Sequence, residues 1–163
     1  MRVYRSSKKP RSQFDPLDSS ASVALDGWRF NDNRTEILYT AEVEALSTLE
    51  VVARPGFESV VELTIAAIEV PDGSIVSLDD VHITLPSNWN QRPHARNAQR
   101  IGAEFLLAVD HAKGRGHTIC GLRVPSVVSE TDHNVLLDPR QKPAYRIAAW
   151  FRIPFDWLLT TAT

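Results

Sequence analysis

Residues 26–54 read DGWRFNDNRTEILYTAEVEALSTLEVVAR, and the change of period inside this stretch decides the fold class. Residues 28–31 and 37–40 are short aromatic and β-branched runs that predict two strands, with DNR as the turn between them. From residue 41 to residue 53 the pattern becomes helical. Thr40 is the expected N-cap, and Glu42 and Glu44 set negative charge against the positive end of the helix dipole. Arg54-Pro55-Gly56 is the expected stop. Three side chains here occupy positions where apolar residues cost less: Arg29, Tyr39 and Glu50. On a wheel of about 100° per residue, Val43, Leu46 and Ala53 form one stripe, and Glu50 falls inside it. A carboxylate there is expensive unless it is paired or opens into a cleft. Two readings stay open. One is an Arg29–Glu50 ion pair tying helix to sheet; the other is a concave site where a cation, an aromatic ring and an anion converge.

Outward from this stretch, RVY predicts an opening strand, and SSKKPRSQFDPLDSSASVAL a long loop with at most one helical turn. VVELTIAAIEV and SIVSL predict strands on either side of a PDG turn. LPSNWNQRP predicts a loop. Ala98, Ile101, Phe105, Ala108 and Val109 share a helical face, and KGRG ends that helix. TICGLRV, NVLL and YRIAAWFRI predict three further strands. Strands outnumber helices and do not alternate with them regularly, so the expected class is α+β, with residues 1–163 as a single domain.

Composition narrows the function. The chain has 163 residues, a formal net charge of -2 and 23% charged residues. Such a chain buries roughly 70% of its unfolded surface on folding and needs no metal or disulfide staple. Its charge advertises neither nucleic acid nor an anionic membrane as a partner. The single cysteine, Cys120, excludes an intrachain disulfide and fits a reducing compartment. With no signal-peptide core and no run of about 20 apolar residues, the expected location is the cytoplasm. KGRGHTI lacks the third glycine and the preceding strand of a dinucleotide fingerprint. The five histidines (His82, His94, His111, His117 and His133) lack metal-ligand spacing, so no metal site is expected. Ser126, in RVPSVV, has no glycine-flanked elbow.

Four segments in order carry a resemblance: GWRFN, ILYTAEVEALSTLEVV, LRVPSVV and NVLLDPR. Together they resemble the RES-domain family, toxins of bacterial toxin–antitoxin pairs, and the similarity runs from Tyr4 to the final FDWLL. Arg29, Glu50 and Ser126 match the residues that name the family. Tyr39 matches the aromatic that follows the arginine, and Asn134 the asparagine of the last motif. Departures are visible as well. Trp28 stands at a common glycine, Phe30 at a common tryptophan and Asp138 at a typical asparagine. PLDSSASVAL lacks the usual glycines, and RQKPAYRI lacks a histidine-proline pair.

The resemblance implies a fold similar to the ADP-ribosyltransferase toxins, with a mixed or antiparallel sheet and a few helices. It implies NAD as substrate rather than cofactor, with no metal, and cleavage of the nicotinamide–ribose bond. In that chemistry Glu50 stabilises the ribose cation and Arg29 clamps the diphosphate. Tyr39 stacks on nicotinamide, while Ser126 and Asn134 orient the groups around it. The implied partner is an Xre-like antitoxin, through which alone the protein reaches DNA. The alternatives are phosphorolysis of NAD, ADP-ribosyl transfer to a host protein, an RNA-directed module, and a non-catalytic domain.

Overall fold

The computed structural model describes residues 1–53, 62–91 and 95–154. In chain order the elements are β1 (Arg2–Ser7), β2 (Leu38–Ala41), α1 (Glu44–Val52), β3 (Glu62–Glu69), β4 (Ile75–Val76), α2 (Arg100–Gly114), β5 (Gly121–Pro125), β6 (His133–Leu137) and β7 (Arg146–Pro154), with short 3-10 turns between them. The strands form one seven-stranded sheet in the order β4-β5-β6-β2-β1-β3-β7. Every neighbouring pair is antiparallel except β4 and β5, which are parallel. The α+β class is as the sequence predicts, and the mixed sheet is as the resemblance implies. Arg54-Pro55-Gly56, His94 and the FDWLL segment lie outside the described residues.

Alternation along the strands assigns the two faces of the sheet. Tyr39 pairs with Leu136, Ala41 with Asn134, and Leu122 with Leu136, so these side chains share one face. On that face α2 packs Ile101, Phe105 and Val109 against Leu122, Val124 and Leu136. The shorter α1 lies across β1, β2, β3 and β6, and Ser47 Oγ bonds Ser6 Oγ at 2.7 Å. The opposite face carries Val3, Leu38, Ile68, Val135 and Leu137, packed against Cys120, Tyr145 and Leu17. There Phe14 meets Trp150 edge-on at 5.9 Å and the Arg11 guanidinium covers the same indole. In β3, residues 63–68 are all buried, because the strand is covered on both faces. Its apolar run is therefore continuous rather than alternating.

Three local expectations are corrected. Residues 28–31 form a tight turn, not a strand: Trp28 N–H donates to Asn31 O at 2.9 Å, closing the segment on itself. Gly27 makes this possible, since its φ is +82° and an added Cβ would lie 2.3 Å from Asn31 O. Thr40 is not the cap of α1. It belongs to β2, where its hydroxyl donates to Val135 O, and the helix begins at Glu44 behind Val43, with no side-chain cap. With the start shifted, Val43 and Ala53 are exposed. The inward side is Leu46 and Ser47, with half-buried Glu50 and Val51 one turn on.

Candidate functional site

A cleft of about 740 Å³ opens on the helix-bearing face, between α1, the turn at residues 28–31, and the ends of β2, β5 and β6. That volume is in the range of small-molecule sites. Arg29, Tyr39, Glu50 and Asn134 all line it, together with Trp28, Val127 and Val128. Ser126 stands just behind the wall, 7% exposed. The structure thus brings together all five residues singled out from the sequence.

Glu50 reaches the cleft from the last turn of α1. Ser126 Oγ donates to its Oε1 at 2.9 Å, and Asn134 Nδ2 donates to the same oxygen at 2.5 Å. Ser126 also accepts the Val128 N–H at 3.1 Å, which fixes its hydroxyl within the turn after β5. Asn134 is placed by its pairing with Ala41 on one side and Val124 on the other. The carboxylate is therefore held by two neutral donors rooted in the sheet.

Arg29 is buried, and its Nη1 donates to the carbonyls of Trp89 and Gln91 at 2.8 and 3.1 Å. Among the described residues no ion pair joins Arg29 to Glu50. This corrects the bridging reading: cation and anion occupy the same cleft on separate supports. Tyr39 is half-buried in β2. Its hydroxyl donates to Asn31 Oδ1 at 2.8 Å and accepts the Phe30 N–H at 3.1 Å.

The residue that sequence reasoning missed is Asn31. It is fully buried, and its Nδ2 faces the carbonyls of Ser22, Asp32 and Thr35, each at 2.8 Å, while Oδ1 takes the Tyr39 hydroxyl. One side chain thereby ties the loop before the turn, the turn itself and the aromatic of β2 together. Gln99 Nε2 adds bonds to the carbonyls of Asp26 and Trp28. The Gly102 N–H adds another to Phe30 O at 2.7 Å. That approach needs glycine, because a Cβ there would sit 2.6 Å from the same oxygen. The asparagine of GWRFN is visible in the sequence, yet nothing in its spacing marks it as buried.

Such an arrangement can hold an elongated polar ligand with one anionic and one planar aromatic part. It offers a fixed guanidinium, two aromatic rings and an oriented carboxylate. Among the described residues no three His, Cys, Asp or Glu side chains are placed to share a metal ion. No described helix is long and apolar enough to cross a membrane.

Comparison with known proteins bears on this geometry. A family model described as RES domain matches residues 2–158. The chain is 29% identical over 129 residues to "Toxin Res" of Photorhabdus laumondii, covering 78% of this chain and 76% of the relative. It is 30% identical over 117 residues to "Toxin Res" of Yersinia enterocolitica, covering 71% and 70%. To "Prs ADP-ribosylating toxin" of Sphingobium sp. it is 28% identical over 133 residues, covering 80% and 78%. Among solved structures, it superposes on a chain of the M. tuberculosis MbcT–MbcA toxin–antitoxin complex with a TM-score of 0.69. That match has 13% identity and covers 98% of this chain and 87% of that one, a likeness of fold.

Proposed function

The chain belongs to the RES domain family, and from that premise we propose that it is the toxin of a toxin–antitoxin pair and that it breaks the nicotinamide–ribose bond of NAD. The observation that carries the reading is the doubly anchored Glu50 carboxylate, set in one cleft with Arg29 and Tyr39. Both anchoring bonds fall on Oε1, which supports a role for Oε2 toward the ribose. As the glycosidic bond breaks, the bonding pair leaves with nicotinamide, which departs neutral, and positive charge builds on the ribose. A preorganised anion beside that carbon stabilises the transition state more than the ground state, and so lowers the barrier. Water then adds to the ribose carbon and loses a proton, giving ADP-ribose.

Arg29 is permanently charged, and its plane is set by two carbonyls, which suits it to an anionic diphosphate. Tyr39 has its hydroxyl tied back, so its ring is what it contributes to the cleft. Ser126 and Asn134 act by holding Glu50. An antitoxin of the Xre-like type would silence such an enzyme by covering the cleft.

The test is direct: purified protein is incubated with NAD, and nicotinamide release is followed. Glu50→Gln is expected to lose at least roughly 100-fold. Equal trace release by wild type and variant would end the proposal. A second reading is favoured by the relative named as an ADP-ribosylating toxin: ADP-ribose passes to a protein side chain instead of water. Labelled NAD added to a lysate would then mark a discrete protein band, while phosphate-dependent turnover would point to phosphorolysis.

A further inference from the structure

Trp28 lines the same cleft and has no role in the reaction as drawn so far. Its Nε1–H donates to Ala21 O at 2.8 Å, which fixes the ring, and its backbone closes the turn that carries Arg29. The Trp28 and Tyr39 ring centroids lie 5.8 Å apart, with their planes inclined by 37°. A third ring between two aromatic faces needs about 7 Å, two contacts of about 3.5 Å each. That spacing leaves no room for a third ring between them, so the pair acts as one aromatic wall of the cleft.

Both polar tips of this wall are turned back into the protein, Trp28 to Ala21 and Tyr39 to Asn31. What the two side chains bring to the cleft lining is aromatic rings, whose faces carry negative quadrupole potential and prefer a cation to a neutral ring. We propose that Trp28 is a specificity-determining residue that, together with Tyr39, selects a positively charged pyridinium ring over an uncharged one. The ligand identity rests on the NAD reading given above.

A kinetic signature follows from the charge flow. The ring is cationic in the bound substrate and loses its charge as the bond to ribose breaks. An interaction with that charge is stronger in the ground state than in the transition state, so it lowers KM without raising kcat. The same loss of charge weakens the hold on the departing nicotinamide, which favours product release.

The test needs no turnover. Wild type, Trp28→Leu and Trp28→Phe are titrated calorimetrically with 1-methylnicotinamide, a cation, and with nicotinamide, its uncharged counterpart. Wild type is expected to prefer the cation by roughly 3- to 30-fold. Trp28→Leu should bring that ratio close to one, with a melting temperature lowered by only a few degrees (roughly 2–4 °C) for the lost bond to Ala21, and Trp28→Phe should keep most of the ratio. In parallel, Trp28→Leu should raise the KM for NAD by a similar factor, with kcat raised rather than lowered. Equal affinities in wild type, a ratio unchanged by Trp28→Leu, or a fall in kcat at constant KM would each overturn the proposal. The outcomes separate the two levels of inference. Normal NAD cleavage with an indifferent ratio sinks the role of Trp28 alone. A cation preference lost in Trp28→Leu, in a protein that leaves NAD intact, sinks the reaction and keeps the ring site.

Discussion

Replacing Asn31 by alanine tests whether the turn that carries Arg29 is held the way the structure implies. The side chain is fully buried and makes four hydrogen bonds, to Ser22, Asp32, Thr35 and Tyr39. At about 1 kcal/mol each, their loss removes about 4 kcal/mol. Two amide hydrogens must serve three carbonyls, so one is shared and the sum falls to about 3 kcal/mol. In a chain of 163 residues each kcal/mol moves the midpoint by roughly 2–4 °C, so Asn31→Ala should melt roughly 6–12 °C below wild type. Asn31→Asp is the sharper version. It keeps the shape but replaces the amide donor with an oxygen, aiming an anion at three carbonyls, and should be less stable than alanine despite being nearly isosteric. Circular dichroism melts of the three proteins at neutral pH decide the matter. An Asn31→Ala midpoint within about 3 °C of wild type, or Asn31→Asp more stable than Asn31→Ala, would refute the reasoning.

Other consequences are equally open to measurement. Ser126→Ala and Asn134→Ala should each slow nicotinamide release by roughly tenfold or more while Glu50→Gln loses at least roughly 100-fold; because both donors act on one oxygen, the double variant should fall short of the product of the single effects, as a rate cycle will reveal. Arg29→Ala should raise the KM for NAD more than it lowers kcat, since the diphosphate is unchanged in the reaction, and steady-state kinetics separates the two. Leu25 is 93% exposed with a φ of +54°, so Leu25→Gly should be neutral or stabilising by up to about 1 kcal/mol, and a clear loss in a urea melt would contradict the backbone assignment. Glu69 is held below the usual carboxylate value by hydrogen bonds from Arg2 and then Arg146, so its contribution is complete above about pH 4.5 and is lost as pH falls through the lower folded value. Urea midpoints should drop between pH 6 and pH 3, and less so in Glu69→Gln; an equal drop in both proteins would contradict this.

Periodicity exposed the skeleton of the fold because burial is periodic. β3, α2 and the three C-terminal strands fall where their apolar patterns predict. Glu50 was legible for the opposite reason, a carboxylate on an apolar stripe that needed an explanation; Ser126 and Asn134 were legible only through the resemblance, and their hydrogen bonds to Glu50 supply that explanation. What stayed hidden depends on contacts between distant segments. Residues 28–31 are aromatic enough for a strand, yet Gly27 and the self-closing Trp28–Asn31 bond turn them back. Thr40 resembles a cap locally, but the Val135 carbonyl, far along the chain, claims its hydroxyl. Asn31 could not be recognised as the tie of the site, because three of its four partners lie outside its immediate neighbours.

Strand β6 enters the sheet between β5 and β2, and this has a consequence in time. Ser126 and Asn134 follow Glu50 by 76 and 84 residues, so a chain emerging from the ribosome exposes the glutamate long before either of its holders exists. Such distant pairings are late events in folding, since a long loop must close before any contact rewards it. On the function proposed above, a half-made molecule lacks the held carboxylate that the reaction needs. On that same proposal, activity begins only when β5 and β6 slot home, and an antitoxin has that interval in which to arrive.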